Sequence, residues 1–106
     1  MLPPPKVLTW LGDSLEVVRG FGQPVSLLLG QELRRVQNGV EPRNWKPLPV
    51  VGSGVREIRV SVGGEFRVIY VAPREHGLVV LHAFRKKTTK TAQRDIDKAR
   101  LRLRAV

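Results

Sequence analysis

Residues 55–84 hold three β-type segments joined by links so short that they can pair in only one way. VREIRVSV at 55–62 and EFRVIYVA at 65–72 are separated by Gly63-Gly64, a dipeptide suited to a tight hairpin turn. Residues 73–77 turn the chain again before LVVLHAF at 78–84. Parallel neighbours need a crossover of a dozen or more residues, so these segments must form an antiparallel meander. The rest of the chain has to be placed around it.

Upstream, residues 1–6 (MLPPPK) read as a flexible leader with nothing to contribute to a core. VLTWL at 7–11 is dense in β-formers and predicts a first strand. Gly12 ends it, and Asp13 or Ser14 can cap a short helix to about Gly20, with Leu15, Val18 and Phe21 inward. Pro24 suits a first helical position. Val25, Leu28, Leu29, Leu33 and Val36 then recur at helical spacing as far as the stop at Asn38-Gly39. Gly30 within that run suggests close packing between the two helices, which read as a hairpin. Residues 40–54 are loop-like, with Leu48, Val50 and Val51 either pinning the loop to the core or forming a short edge strand. Thr91 can cap a last helix to about Arg104, with Ala92, Ile96, Ala99 and Leu103 as its apolar stripe. Its acidic start and basic end suit the helix dipole. The expected architecture is α+β: a small antiparallel sheet with an N-terminal helical hairpin and a C-terminal helix, one domain across residues 1–106.

A chain of 106 residues buries about 65% of the surface its unfolded form exposes, enough for one modest core. No segment approaches the ~18 apolar residues of a membrane span, and the prolines after Met1 and Leu2 argue against a signal helix. The chain has no cysteine, which excludes disulfides and thiolate chemistry and favours a cytoplasmic protein. Two isolated histidines and no carboxylate cluster leave no zinc site. Nineteen Lys and Arg against nine Asp and Glu give a net charge of +10. A field of that sign gathers polyanions, nucleic acid first among them; a basic surface that holds an acidic protein is the other reading.

Side chains alternate faces along a strand, so Arg59 shares a face with Glu57, and Arg67 shares one with Ile69 and Val71. If the two arginines emerge together, that face becomes a cationic floor open to solvent or ligand. Arg67→Ala should then cost little stability, as removal of a surface charge usually does. Alternatively, Arg59 pairs with Glu57 and Arg67 with Glu65 as ordinary salt bridges. The segment LHAFRKKTTKT at 81–91 adds Arg85, Lys86, Lys87 and Lys90 where the third strand ends, with Thr88, Thr89 and Thr91 as hydroxyl donors. Fixed positive charge and hydroxyls are what a nucleic-acid backbone requires; a solvated connecting loop would look the same. His82 can act as acid or base near neutral pH, or be a satisfied core histidine beside Val80 and Phe84. His76 sits in a turn, and Tyr70 lies opposite Arg67 and should pack.

The order of elements, with W-x-G-D-S at 10–14, L-x-x-V-Q-N-G at 33–39, V-R-E-I-R at 55–59, E-F-R-V-I-Y at 65–70 and L-H-A-F-R-K-K-T-T-K-T at 81–91, resembles the RelE superfamily of type II toxins. Within it, the chain is similar to the phage-related HigB branch. The resemblance implies an mRNA interferase: an endoribonuclease that needs no cofactor or metal, works on the ribosome and is silenced by a cognate antitoxin with a helix-turn-helix domain. It places the phosphate-stabilising arginine on Arg67, a second basic position on Arg59, and the basic cluster on Arg85, Lys86 and Lys87. On this reading Arg67, Arg59, Lys86 and His82 are the catalytic candidates, and Arg85, Lys87, Lys90 and Thr88 hold RNA. RelE-type members often carry a catalytic tyrosine near the C-terminus; none stands there here, leaving His82 or cation-only chemistry. A catalytically inert RNA- or ribosome-binding module is the alternative.

Overall fold

A computed structural model describes residues 4–73 and 77–106. In order, they form β1 (Val7–Trp10), α1 (Ser14–Gly20), α2 (Val25–Gln37), β2 (Trp45–Pro47), β3 (Arg56–Ser61), β4 (Glu65–Val71), β5 (Gly77–Lys86) and α3 (Gln93–Leu103). The five strands make one sheet in the order β1-β5-β4-β3-β2. The meander β3-β4-β5 is antiparallel, as its short links require. β1, however, lies parallel to β5, with Val7 opposite Gly77 and Trp10 opposite Val80, so the sheet is mixed rather than wholly antiparallel. The helical hairpin that follows β1 gives the chain room to reach the far edge of the sheet.

The helices divide between the two faces. Val18 of α1 and Val25, Leu29, Leu33 and Val36 of α2 pack with Ile58, Phe66, Val68, Tyr70, Leu78, Val80 and Ala83. Ile96 and Ala99 of α3 pack on the other face with Ile69, Val71, Leu81 and Phe84, joined by Leu48, Val51 and Val55. Strands β4 and β5 therefore bury both sides, which is why they read as nearly continuous apolar sequence. No helix among the described residues is long and apolar enough to cross a membrane.

Several local expectations change. The strand in the 40–54 segment is Trp45–Pro47, on the sheet edge, where the missing N–H of Pro47 costs least. Leu48 and Val51 pin that loop as expected, but Val50 is exposed. Gly30 faces open space, so it marks no close approach between α1 and α2. Asp13 makes no capping bond to α1; its carboxylate accepts from Arg102 Nη2 at 2.7 Å instead. Ser14 turns back onto the Leu11 carbonyl at 2.7 Å. Thr91 does not cap α3, which begins after Ala92; its hydroxyl reaches Glu57 Oε2 at 3.3 Å. The leader falls partly outside the described residues (1–3), while at its end Lys6 exchanges hydrogen bonds with Gln37. His76 and most of the 73–77 turn also lie outside them.

One irregularity governs the site. Between Ile69 and Tyr70 the β4–β5 register slips, so that Ile69 faces His82 while Tyr70 faces Val80. Leu81 is the extra residue of a β-bulge, and both it and His82 turn toward α3. His82 thus shares a face with Phe84, as alternation predicts, but not with Val80.

Candidate nucleic-acid interface

Cross-strand register assembles the basic groups. Arg59 and Arg67 are direct partners on β3 and β4, Ser61 faces Glu65, Glu65 faces Lys86 and Arg67 faces Phe84. Arg59, Glu65, Arg67 and Lys86 lie on the α3 side of the sheet, beyond the apolar patch that α3 covers. With Lys87, Thr88 and Thr89 from the segment leaving β5, they line an open groove of about 560 Å³. Of the sequence candidates, Arg67, Arg59, Lys86, Lys87 and Thr88 therefore come together.

Three others do not. Arg85 points to the opposite face, where its Nη2 donates to the Gly63 carbonyl at 3.1 Å and its guanidinium lies 5.4 Å from the centre of the Phe66 ring. Alternation along β5 forces this, because its neighbour Lys86 takes the groove side. Lys90 lies outside the groove, on a small adjoining cleft with Phe84 and Asp95. His82 is 4% exposed beneath α3, stacked on Phe84 with ring centres 5.4 Å apart. Its Nε2 is 2.7 Å from Asp95 Oδ1, and Arg102 Nη1 lies 3.5 Å from its Nδ1. A neutral ring with its proton on Nε2 fits both contacts. Burial pushes the His82 pKa down despite Asp95, which keeps that neutral form. The satisfied core histidine is the reading the geometry selects. Tyr70 packs under the helical hairpin, as expected.

Arg67 is the main surprise. It is 2% exposed, and its partners are within the protein. Nη1 donates to the Phe66 carbonyl at 3.0 Å and Nη2 to Glu65 Oε1 at 3.0 Å; Nε lies 3.6 Å from Glu57 Oε1, a charge contact too long for a hydrogen bond. Glu57 is wholly buried, with Lys46 Nζ 3.8 Å from Oε1 and the Thr91 hydroxyl on Oε2. Two arginines directly opposite each other repel, and Glu57 and Glu65 offset that cost. The expected Arg67–Glu65 bridge is present; Glu57 pairs with Arg67 and Lys46, not with Arg59. The floor is cationic, but its central arginine is roofed rather than open. Alternation put Glu57 on the Arg59 face; only packing shows that it is the buried anchor.

The field in the groove acts on its titratable groups. Burial, followed by the charges of Arg67 and Lys46, lowers the Lys86 pKa from its usual 10.5. The Ser61 hydroxyl, and then Arg67, hold the Glu65 carboxyl below the usual carboxylate range. Among the described residues no cluster of His, Asp and Glu could hold a metal ion.

A five-stranded mixed sheet with a helical hairpin on one face, a terminal helix on the other and arginine and lysine gathered where the meander opens defines a small α+β protein of RelE-like fold. More narrowly, the chain belongs to the family of phage-derived Gp49-like proteins (DUF891), whose family model matches residues 17–104 and so takes in every groove residue. No curated protein matches the chain in sequence.

Proposed function

We propose that this protein is the toxin of a type II toxin–antitoxin pair, of the phage-related HigB type, and that it cleaves mRNA. The observation that carries the reading is the convergence of Arg59, Arg67, Lys86, Lys87 and Thr88 on one open groove of a chain whose net charge is +10. Membership in a phage-derived family supports it.

In RNA cleavage without a metal, the ribose 2′-hydroxyl gives up its proton to a base or to water as it attacks the adjacent phosphorus. A pentacoordinate phosphorane gathers charge, and the P–O5′ bond breaks as the 5′-oxygen takes a proton, leaving a 2′,3′-cyclic phosphate. On this reading Arg59 and Arg67 stabilise the phosphorane oxygens, Arg67 once one of its present partners gives way. Lys86, with its lowered pKa, is a stronger acid than an ordinary lysine and suits protonation of the 5′-oxygen. Lys87 and Thr88 hold flanking phosphates. Glu65, the carboxylate of the groove, is a weak base because Ser61 and Arg67 keep it ionised. The substrate is mRNA on the ribosome in the cytoplasm, and the partner is an antitoxin with a helix-turn-helix domain.

A second reading is a binder that stalls translation by occupancy. It is favoured by one observation: among the described residues, neither histidine nor tyrosine lines the groove. Tightly induced expression in a bacterial host, with transcript 5′ ends mapped within minutes, separates the two. New 5′ ends inside coding regions, lost in Arg59→Ala, establish cleavage. Growth arrest with intact transcripts establishes the binder.

A further inference from the structure

We propose that the Glu65 carboxylate occupies the place an RNA phosphate takes on Arg67, and that the groove fills by exchange of one anion for the other. The inference rests on the reading of the groove as an RNA site and identifies where in it the phosphate goes.

The donors of Arg67 leave little choice. Phe66 O takes Nη1, Glu65 takes Nη2, and Nε faces Glu57. At 2% exposure the guanidinium presents no open fork to a ligand, so a phosphate reaches it only where a present partner leaves. The Phe66 carbonyl belongs to the strand backbone and cannot leave. Glu57 is wholly buried between Lys46, Arg67 and Thr91, and its departure would strand two cations. Glu65 differs from both. Its side chain is 48% exposed, and it stands at the first position of β4, beside the Gly63-Gly64 turn. It can swing into water at the loss of a partly exposed ion pair and one hydrogen bond to Ser61.

The vacated place suits the incoming group. Lys86 stands across the strand from Glu65 and Arg59 across from Arg67, with Lys87 at the rim. A phosphodiester oxygen can accept from Nη2 as the carboxylate oxygen Oε1 of Glu65 does, so one anion can replace the other on Arg67. The carboxylate carries one negative charge, whereas a cleavage phosphorane carries more. Exchange therefore favours the transition state over the ground state. In the absence of RNA, Glu65 shields a guanidinium that would otherwise face three other cations.

The test is fluorescence anisotropy of the full chain with a labelled 2′-deoxy oligonucleotide, which binds without being cut, across a salt series. Wild type, Glu65→Gln, Arg59→Ala and Glu16→Gln are compared. Glu16 is exposed on α1, against the opposite face of the sheet, and controls for net charge. The expected result is affinity on the order of tenfold tighter in Glu65→Gln, with the slope of log affinity against log salt within about 0.7 of wild type, because the same phosphate sits on Arg67 in both. Glu16→Gln should stay within about twofold of wild type. Equal gains in the two variants, or no gain in Glu65→Gln while Arg59→Ala weakens binding, would overturn the exchange and leave the RNA site standing. Absence of salt-dependent binding in all four would overturn both. Should Glu65→Gln melt more than a few degrees early, Glu65→Asp serves in its place: it keeps the charge but is one methylene short of Arg67, and it too should bind more tightly than wild type.

Discussion

Arg67 Nε lies 3.6 Å from Glu57 Oε1, and the two side chains are 2% and 0% exposed. An ion pair this deep is held by mutual neutralisation: removing one member leaves the other charged and without water. Arg67→Ala should therefore cost about 3–5 kcal/mol rather than the small change expected of a surface arginine. Thermal melting should show a fall of more than about 10 °C. Arg67→Met combined with Glu57→Gln, which removes both charges, should recover much of it. A melting temperature in Arg67→Ala within a few degrees of wild type would show that the pair is not the anchor described here.

Arg59 is the cleaner probe of function. It is half-buried, makes no ion pair within 4 Å among the described residues, and stands directly opposite Arg67. Arg59→Ala relieves a like-charge contact, so the melting temperature should hold or rise slightly while RNA affinity falls. Calorimetry beside a binding titration separates the two effects. A large loss of stability would mean that Arg59 is structural.

Lys86 should leave a mark on the pH dependence of cleavage. Its protonated form is the proposed acid, so the rate should fall as the pH rises through its folded pKa, which lies below the usual 10.5. Single-turnover cleavage of an oligoribonucleotide across the alkaline range should show that limb in wild type. Lys86→Arg, which stays protonated, should lose it. A limb that persists in Lys86→Arg would assign the proton to another group.

His82 should make the fold sensitive to mild acid. Its pKa is lowered by burial, so the unfolded chain takes up a proton at a pH where the native chain does not. Stability contributed by the neutral ring is full above about 6.5, the unfolded value, and declines as the pH falls from there toward the folded pKa. The charged groups around the ring are Asp95, Arg102 and Lys98, all on α3. Asp13 and Glu65 have lowered pKa values and lose their contributions only at lower pH, below the usual carboxylate range. Denaturant melts of wild type and His82→Gln across this interval should converge as the pH falls. Parallel curves would show that His82 does not set the dependence.

How far the sequence reached is clearest along β4 and β5. Period-two alternation and two short links specified the antiparallel meander and the inward packing of Tyr70, because each depends only on residues close in the chain. The shared face of Arg59 and Arg67 was only one of the readings left open: a two-residue turn at Gly63-Gly64 would separate them, and they meet because Ser61 pairs with Glu65 across a three-residue loop. The helical spacing of α2 and the charge of 81–91, being local, were legible. The parallel placement of β1 on β5 was not, since it joins segments about seventy residues apart without a local signature. Nor was the bulge at Leu81, which put His82 against α3 and so made a candidate acid–base group into a structural one. The burial of Glu57 and Arg67 lay equally out of reach: alternation assigns a side chain to a face, but only the elements packed over that face determine whether it meets water. The sequence by itself determined which segments pair in the meander, which residues share a face within each strand, and that the chain leaving its last strand is basic. Tertiary structure decided which of them are covered and by what, because solvent exclusion and ion pairing depend on the distance between segments that the chain brings together only when it folds.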